Sequence, residues 1–549
     1  MLSFRSLVTA SAVLASAVAA DIEPKDIYCS GPVLETIQEA RLFNDSKHFV
    51  DMVMKAAPQT VLSAFEALPD HSNTTLKAFL DKYFDEPSTD LVEIELPDFK
   101  ESPAPLQAIK DADLKAWALQ INKLWKLLGR KRVLPDGHYG SHLPTKHNLV
   151  VPGGRFRESY YWDSYWIVLG LLKSDMAETA KGVVQNLLDF VDAYGFVPNG
   201  GRIYYLNRSQ PPLLSDMVRA IFEATKDEAY LAQALPLLDK EYAFWMTQGA
   251  ATHRVEVQAK DGKTYSLNRY FSAGTSPRPE SFREDIETAS LVPDASRPTL
   301  YQNIIAAAES GWDFSSRWFQ DGKTMKSLYT TDVIPVDLNA IMYRFERNLA
   351  SFHKHVGNAQ KAVAMDSAAD ARRAAIDAVL WNDAAGAWKD YITSAKAHST
   401  IVSISDYTPL WAQAFDATDA ARNARILASL KSSGLVLVAG IQTTTAHTGQ
   451  QWDAYNAWAP EIDFTVEGLL RLNASEATAY AGKIVSDWVA TGHSAYKQTG
   501  YMLEKYNASV VGGLGSGGEY DLQFGFGWTN GVILKFLTEY QDLLQHDHC

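Results

Sequence analysis

The sequence has 549 residues, of which 46% are hydrophobic and 21% charged, with a formal net charge of −14. This composition is that of a globular protein with enough apolar residues for a large core, and the length fits several domains or one long toroidal unit. The negative charge argues against a nucleic acid or an anionic membrane surface as partner.

The N-terminus has the features of a secretory signal peptide. In residues 1–20, Arg5 supplies a positive start, an apolar run follows, and Ala-Val-Ala-Ala resembles a cleavage site. The run is short and interrupted by serine and threonine, so it predicts a leader rather than a membrane span, with the mature chain starting at Asp21. We therefore expect a secreted protein, whether extracellular, wall-bound, vacuolar or periplasmic. Five Asn-x-Ser/Thr sequons then become candidate glycosylation sites: Asn44, Asn73, Asn207, Asn473 and Asn507.

Two cysteines occur, Cys29 and Cys549, close to the two ends of the expected mature chain. In a secreted protein they could form one disulfide that closes almost the whole chain. Two free thiols explain the same count equally well, and the sequence favours neither.

Helical patterns dominate the chain after the leader. Residues 21–105 predict short helices and an extended, proline-rich wrap, and residues 114–128 place six apolar side chains on one stripe. One hairpin is predicted at 254–267, with Asp261-Gly262 at its turn. From residue 164 onward helices are predicted in pairs: 164–173 with 177–194, 213–225 with 227–248, 339–355 with 358–381, 407–415 with 420–432, and 463–472 with 475–489, followed by 531–544.

A strand-poor chain of helix pairs forms either a solenoid or a closed α/α toroid. A solenoid has a fixed sequence period, and none is visible here. The connections are long and rich in Gly, Pro, Trp and Tyr, which suits an active site at one end of a helical scaffold. The pattern therefore predicts an all-α toroid in a single domain.

Segments that mix turn residues, aromatic rings and polar side chains recur along the chain. Arginines and carboxylates hydrogen-bond sugar hydroxyls, and aromatic faces pack against the apolar face of a sugar ring. Three aspartates directly follow a tryptophan, Asp163, Asp313 and Asp453, and a neighbouring ring desolvates a carboxyl and raises its pKa. Each segment alone is equally compatible with a buried aromatic core. It is because such segments recur along the chain that we predict an acid/base site for a glycosidic bond. The segments are 152–166, 197–210, 276–283, 309–318, 449–460 and 504–528.

Other chemistries lack their motifs. No serine lies in G-x-S-x-G, and neither cysteine has a catalytic partner in the sequence. The glycine-rich run 512–518 lacks the Lys-Ser/Thr ending of a phosphate-binding loop, and there is no D-x-D-x-D-G calcium loop. The sequence therefore predicts neither a metal nor a cofactor.

Three of these segments carry a family resemblance. PGGRFRESYYWDSYW (152–166) and QWDAYNAWAP (451–460) resemble the two signature motifs of the trehalase family of inverting glycoside hydrolases, and GGLGSGGEY (512–520) resembles its third landmark. The likeness extends from residue 27 to residue 537. It implies a six-fold (α/α) barrel with long active-site loops, spanning residues 21–549 as one catalytic domain. It also implies that the protein hydrolyses α,α-trehalose to two glucose molecules without a cofactor.

The resemblance also implies roles for individual residues. The general acid would be Asp313, in G-W-D-F-S-S-R-W, and the general base Glu504, in E-K-Y. Carboxyl groups of such an inverting pair lie roughly 6.5–9.5 Å apart, which leaves room for a water molecule. The implied substrate contacts are Arg155, Trp162, Asp163, Asn199, Arg208, Ser209, Gln210, Arg278, Pro279, Glu280, Gly311 and Glu519.

Four residues depart from the family pattern. Tyr455 stands where proline is usual, Leu514 and Ser516 interrupt the glycine run, and Phe524 stands where an acid or amide is expected. None of them removes an implied catalytic carboxylate, so we expect them to affect loop stiffness or affinity rather than the type of reaction. The absent calcium loop separates the chain from the regulated cytosolic branch of the family, in keeping with the leader.

Two other functions compete with this interpretation. One is another exo-acting glucosidase on the same barrel, such as a glucoamylase-like enzyme. The other is a catalytically silent sugar-binding or storage protein, against which the retention of both Asp313 and Glu504 argues. Substrate choice separates the two enzymes, because trehalose needs a pocket closed around both of its rings.

Overall fold

Helices make up most of the structure, a computed structural model that describes residues 22–249 and 251–544. The predicted signal peptide (1–20), the predicted mature start at Asp21 and the cysteine Cys549 lie outside these residues. The prediction of a mainly helical chain with short hairpins is confirmed. Within the described ranges the α-helices are α1 Lys25–Tyr28, α2 Pro32–Glu39, α3 Lys47–Val50, α4 Pro58–Glu66, α5 Asn73–Tyr83, α6 Ala104–Gln107, α7 Ala112–Leu124, α8 Asp163–Lys173, α9 Ala177–Tyr194, α10 Leu214–Thr225, α11 Glu228–Met246, α12 Phe282–Ala289, α13 Arg297–Glu309, α14 Val336–His355, α15 Ala359–Ala375, α16 Thr408–Ala412, α17 Ala420–Ser432, α18 Ala459–Arg471, α19 Ser475–Thr499 and α20 Gly527–Glu539.

Most predicted helices lie where the apolar stripes place them, and α9 and α17 have the predicted bounds. The helix predicted at 407–415 is instead a 3₁₀ turn, Ile404–Tyr407, followed by the short α16. The pair α12 and α13 was not predicted. Eight of the thirteen residues of α13 are buried, and residues 303–309 are buried without a break, so the helix has no one-sided apolar stripe. The other 3₁₀ turns are Trp125–Leu127, Ile203–Tyr205, Pro279–Ser281, Asp294–Ser296, Ser316–Trp318, Met325–Ser327, Thr330–Asp332 and Gln541–Leu543, and Ile376–Leu380 is a π turn.

The strands of the described residues are short and antiparallel. The predicted hairpin is confirmed as β6 with β7, in which Val255 pairs with Leu267. Strand β13 pairs with β14, with Trp458 opposite Lys505. Two- and three-residue strands carry no usable sequence period, which is why the others were not predicted. The strands are β1 Val53–Met54, β2 Phe84–Asp85, β3 Leu91–Glu93, β4 Gly129–Arg132, β5 Leu149–Val150, β6 Arg254–Gln258, β7 Thr264–Asn268, β8 Val333–Ile334, β9 Trp381–Asn382, β10 Ala387–Trp388, β11 Tyr391–Ile392, β12 Ala397–His398, β13 Asn456–Trp458 and β14 Lys505–Asn507, arranged as β1-β2, β3-β4-β5, β6-β7, β8-β11-β12, β9-β10 and β13-β14.

Six helices contact one another in cyclic order: α8, α10, α14, α16, α18, α20 and again α8. Helices α9, α11, α15 and α19 pack against members of this ring. Burial differs between the two sets, since sixteen of the twenty residues of α14 are buried but four of the seventeen of α15. The ring is therefore an inner layer, and the contact between α20 and α8 closes it. Closure favours the toroid over the open solenoid.

Glycines allow the ring to close. Gly170 of α8 and Gly531 of α20 face each other, and a Cβ built on Gly170 would lie 2.6 Å from the Gly531 Cα. A Cβ built on Gly531 would lie 2.0 Å from the carbonyl oxygen of Trp166. Because the obstructing atoms belong to helix backbones, a side chain at either position would force the two helices apart.

We expect Gly531→Ala to destabilise the protein by at least about 1–3 kcal/mol, the usual cost of overpacking a core. Denaturant unfolding followed by circular dichroism measures the change. Gly182→Ala is the matched control, because Gly182 lies in α9 and its added Cβ would meet the His147 side chain at an ordinary 3.4 Å. Alanine there is expected to stabilise the helix by about 0.5–1 kcal/mol. A Gly531→Ala protein as stable as the parent would contradict the packing described for the ring.

The N-terminal wrap, residues 22–105, has a small core of its own that includes Tyr160, Tyr204, Tyr205 and Phe282 from the helical body. Buried charges also join the two parts. The Lys47 ammonium lies 2.8 Å from the Glu158 carboxylate, which also pairs with Arg202 at 3.3 Å. Removing one partner of such a set leaves a buried charge unpaired, which costs about 3–5 kcal/mol. The wrap is therefore fixed to the body, close to where residues 152–166 enter the ring.

None of the helices in the described ranges combines the length and the hydropathy needed to cross a membrane.

Candidate active site

One cavity collects most of the side chains that the sequence singled out. Its walls come from the loops that enter and leave the inner ring, together with one segment of the N-terminal wrap. Twelve of the fourteen predicted site residues line it: Arg155, Trp162, Asp163, Asn199, Arg208, Gln210, Arg278, Glu280, Gly311, Asp313, Glu504 and Glu519. Segments hundreds of residues apart in sequence therefore meet at one place.

The other two predicted residues do not line this cavity. The Ser209 amide donates to Glu309 Oε1 at 2.9 Å, and its buried hydroxyl donates to the Val197 carbonyl at 2.7 Å. Pro279 faces a different cavity, and its carbonyl accepts from Gln38 at 3.1 Å. Both residues hold the backbone on which their neighbours Arg208, Gln210 and Glu280 are presented.

Asp313 lies in the loop after α13, next to Gly311. Gly311 has φ +76°, and a Cβ on it would lie 2.8 Å from the Trp162 ring, so glycine is needed both for the turn and for the close approach. Burial raises the pKa of the Asp313 carboxyl to about 6, although the nearby Arg278 and Arg208 act in the opposite direction. A carboxyl with this pKa is protonated in mildly acidic solution and is able to donate a proton.

Glu504 directly precedes β14, whose pairing with β13 places it beside the segment 449–460. Its carbonyl accepts from the Trp528 indole at 3.0 Å, and its Oε1 accepts from the Tyr520 hydroxyl at 2.8 Å. Glu504 Oε2 is buried and has no hydrogen-bond partner among the described residues. Burial raises the pKa of Glu504, while Lys505 and Tyr520 lower it. The free oxygen is the one available to a reacting group in the cavity.

Arg208 and Arg278 are held by carboxylates at the cavity wall. Arg208 donates to Glu280 at 2.6 Å. Arg278 donates to Asp285 at 2.7 Å and to Glu519 at 3.0 Å, and its guanidinium lies between the two acids. Burial raises the pKa of Glu519 to about 7 against the effect of Arg278. These paired groups present fixed donors and acceptors, which suits the recognition of sugar hydroxyls.

Arg155 is held from the wrap. Its guanidinium forms a bidentate pair with the Asp45 carboxylate, with bonds of 2.8 and 2.7 Å. The guanidinium also lies 4.8 Å from the centre of the Tyr520 ring. Asp45 was not predicted as a site residue, because the segment around it contains a glycosylation sequon but no motif typical of a sugar-binding site.

Aromatic rings form another wall of the cavity. Trp452 and Trp458 are stacked with ring centroids 4.0 Å apart, and Trp162 lies 5.7 Å from Trp452 and 5.8 Å from Trp528. All four rings line the cavity. Such rings exclude water and offer flat surfaces to a sugar.

The three tryptophan–aspartate pairs differ in their surroundings. Asp163 and Asp313 line the cavity, and burial raises the pKa of Asp163 well above its ordinary range, helped by the charges of Glu504 and Asp313. Asp453 does not line it. Its carboxylate accepts hydrogen bonds that fix the neighbouring loops, from Ser315, Ser316, Thr444 and Thr448. Sequence context alone could not distinguish this third aspartate from the other two.

Several cavity residues were not predicted individually. Most of them fall inside the segments recognised from the sequence, but Asp45, Glu284 and Ala308 do not. The unpredicted lining residues are Asp45, Phe156, Tyr160, Tyr205, Ser281, Glu284, Ala308, Trp452, Trp458, Tyr520, Phe526 and Trp528.

The departures from the family pattern lie at the surface. Tyr455, Leu514 and Phe524 are exposed by 45%, 48% and 45%, and Ser516 is also exposed. None of the four lines the cavity. They therefore leave the walls of the site unchanged.

Comparisons with known proteins identify the family of the chain. A family model described as trehalase matches residues 41–541. The chain is 42% identical over 531 residues to a human trehalase, covering 94% of this chain and 90% of that protein. It is also 42% identical to a probable trehalase of rice over 522 residues, covering 90% and 92%.

The fold has a counterpart among solved structures. The neutral trehalase of Saccharomyces cerevisiae superposes with a TM-score of 0.57 at 24% identity, over 72% of this chain and 74% of that one. This superposition shows a shared fold, whereas the family model and the sequence identities show the family to which the chain belongs. The resemblance read from the signature motifs is thereby confirmed, and the chain belongs to the trehalase family.

Proposed function

We propose that this trehalase-family enzyme hydrolyses α,α-trehalose to two glucose molecules by an inverting mechanism, with Asp313 as general acid and Glu504 as general base. One observation carries the assignment of roles. The two carboxyl groups line the same cavity, and burial raises the pKa of both above their ordinary values. The family membership supports the substrate.

The acid step takes place at the oxygen that bridges the two glucose rings. Asp313, with a pKa of about 6, holds its proton at mildly acidic pH and gives it to this oxygen as the bond to the anomeric carbon breaks. Protonation lets one glucose leave as a neutral alcohol. The desolvated surroundings strengthen the interaction between the carboxyl and the developing charge.

The base step uses the opposite side of the cleaved ring. A water molecule attacks the anomeric carbon there, and Glu504 Oε2 takes its proton. That oxygen is free for the role because Tyr520 occupies Oε1. Since neither carboxylate attacks the sugar, no glycosyl-enzyme forms, and the anomeric centre under attack inverts.

Recognition of the two rings falls to the remaining cavity residues. Arg155, Arg208 and Arg278 offer fixed donors, Glu280 and Glu519 offer acceptors, and the tryptophan rings cover the apolar faces of the sugars. We assign substrate contact to the twelve lining residues and a supporting role to Ser209 and Pro279.

We further infer that the inner ring and its outer helices form a six-fold (α/α) barrel. The cyclic contacts of six helices and the likeness to a yeast trehalase fold support this. The barrel, residues 106–549, and the wrap, residues 21–105, are proposed to form one catalytic domain, because buried ion pairs and a shared aromatic core join them.

Comparing substrates tests the proposed activity. Glucose release from trehalose, maltose and starch should be measured with the same enzyme preparation under the same conditions. We expect trehalose to be the preferred substrate by a wide margin. Faster release from maltose or starch would favour the glucoamylase-like alternative, and no release from any of the three would favour a silent sugar-binding protein.

We also propose that the enzyme is secreted after removal of the leader. The charged start, the apolar run and the Ala-Val-Ala-Ala end of residues 1–20 support this. Asn44, Asn73, Asn207 and Asn473 are exposed and Asn507 is half-buried, so the sequons are compatible with glycosylation. N-terminal sequencing of the protein from its source is expected to start at Asp21, and a start at Met1 would contradict the proposal.

A further inference from the structure

We infer that Tyr520 and Gln451 are positioning residues for Glu504. They belong to a chain of hydrogen bonds whose directions are all fixed. In this chain one Glu504 oxygen accepts a hydrogen bond from Tyr520, and the other oxygen is left to act as the base. The inference rests on the proposed function, since it assumes that Glu504 is the general base. The direction of each bond follows from which atoms are able to donate and which only accept.

The chain begins at Lys505. Its ammonium has donors but no acceptor, and it lies 2.6 Å from the side-chain oxygen of Gln451. The Lys505 side chain is fully buried, and it also donates to the Gly517 carbonyl at 3.2 Å. The Gln451 oxygen must therefore face Lys505, and the Gln451 amide nitrogen must point the other way.

The Gln451 nitrogen meets two groups. One is the backbone carbonyl of Asp313 at 2.7 Å, which is able only to accept, and the other is the Tyr520 hydroxyl at 3.3 Å. The amide has two protons and donates one to each. Gln451 thus ties the loop of the proposed acid to the loop that carries Tyr520, and its own orientation is fixed from both ends.

The Tyr520 hydroxyl has a single proton. Because its oxygen accepts from Gln451, this proton is left for Glu504 Oε1 at 2.8 Å, the acceptor within reach among the described residues. Glu504 Oε1 is therefore an acceptor, and the carboxylate form of Glu504 is favoured. The proton taken from water has to arrive on Oε2, which has no hydrogen-bond partner among the described residues.

Other charged groups also act on Glu504 and would remain in any variant. Lys505, whose ammonium lies 4.0 Å from Oε2, and Arg155 favour its ionised form. The acidic groups Asp163 and Asp313 also lie near this chain. Burial, followed by the charges of Glu504 and Asp313, raises the pKa of both Asp163 and Tyr520. The hydrogen bond from Tyr520 is the contribution that a single substitution removes without changing a charge.

Tyr520→Phe tests the inference through the pH dependence of kcat/KM. Loss of a hydrogen bond to a charged group is expected to move the acidic limb, set by Glu504, to higher pH by about one to two units. The basic limb, set by Asp313, should stay in place, and KM for trehalose should change less than about threefold. An acidic limb that coincides with that of the parent enzyme would overturn the inference.

Tyr506→Phe is the matched control. Tyr506 is a fully buried tyrosine two residues after Glu504, and its hydroxyl accepts from the Leu503 amide at 3.1 Å. This variant loses a buried hydroxyl close to the site but no contact with the carboxylate. We expect a lower melting temperature and both limbs unmoved. A similar shift of the acidic limb in both variants would mean that general loosening, not the bond to Glu504, causes it.

Gln451→Glu tests the same chain of hydrogen bonds at Gln451. It replaces the first test if Tyr520→Phe does not fold. Glutamate keeps the size and the contact with Lys505 but replaces the amide donors by acceptors. It would compete for the Tyr520 proton and add a charge near Asp313, so both limbs should move to higher pH. Unmoved limbs would contradict the inference. A fully active Glu504→Gln enzyme would instead refute the role of Glu504 in the proposed function. If Glu504→Gln is inactive and Tyr520→Phe leaves both limbs of the pH profile unmoved, only the proposed chain of hydrogen bonds is refuted.

Discussion

Asp313→Asn is expected to lower kcat for trehalose by about 10²–10⁴-fold, the usual contribution of a positioned general acid. Asparagine matches aspartate in shape but has no acidic proton to give the leaving oxygen. KM should change little, because the paired arginines and the tryptophan wall are untouched. The basic limb of the pH profile should also disappear. In the parent enzyme the Asp313 pKa of about 6 means that activity falls as rising pH removes the proton.

The leaving group offers a sharper test of the same assignment. With α-glucosyl fluoride, fluoride departs without needing protonation, so Asp313→Asn should recover much of its lost rate. Asp453→Asn is the control from the same sequence context. Asp453 accepts hydrogen bonds from Ser316 and Thr444 and lies outside the cavity lining. The Asp453→Asn substitution should lower the melting temperature but keep the basic limb of the pH profile. Asp313→Asn that retains more than about a tenth of the parent activity on trehalose would exclude Asp313 as the acid.

Glu504→Gln is expected to lower kcat by a similar factor, about 10²–10⁴-fold, because glutamine cannot take the proton from the attacking water. Here the acidic limb should disappear. In the parent enzyme activity is lost as pH falls and Glu504 becomes protonated, at a pH above the ordinary range of glutamate because burial raises its pKa. The measurement is the initial rate of glucose release across the pH range.

The fluoride substrate separates this variant from the previous one. Attack by water still needs a base, so Glu504→Gln should stay slow with α-glucosyl fluoride. If the fluoride rescued Glu504→Gln and not Asp313→Asn, the two roles would have to be exchanged. If it rescued neither, Asp313 would be needed for something other than protonation of the leaving group.

The sequence predicted the amphipathic part of the fold well. Helix α9 has its predicted bounds because apolar residues recur along one face and polar ones along the other, ending at a left-handed Gly195. Helix α13 was missed because burial on most sides removes that contrast. The apolar stripe at 114–128 does not form one helix, because α7 ends at Leu124, a 3₁₀ turn follows and Gly129 begins β4. Tertiary packing, not local preference, decides such cases.

The site, like the fold, was predicted in part from the sequence. Asp313 and Glu504 were reached through the family resemblance, and the structure places both in one cavity. Asp45 was out of reach, because it meets Arg155, 110 positions later in the chain, only when the wrap folds against the body. Gln451 lay in a recognised motif, but its link to Asp313, 138 positions earlier, depends on how two loops approach each other. Motifs identify the residue types of a site, whereas hydrogen-bond directions need coordinates.

Inversion at one anomeric carbon is the central claim, and proton NMR of the first products tests it most directly. Trehalose contains two α-linked anomeric carbons, of which the attack inverts one and leaves the other unchanged. In the first minutes, before mutarotation, the account predicts equal amounts of β-glucose and α-glucose. An early excess of α-glucose would mean retention through a glycosyl-enzyme, and it would contradict the roles assigned to Asp313 and Glu504.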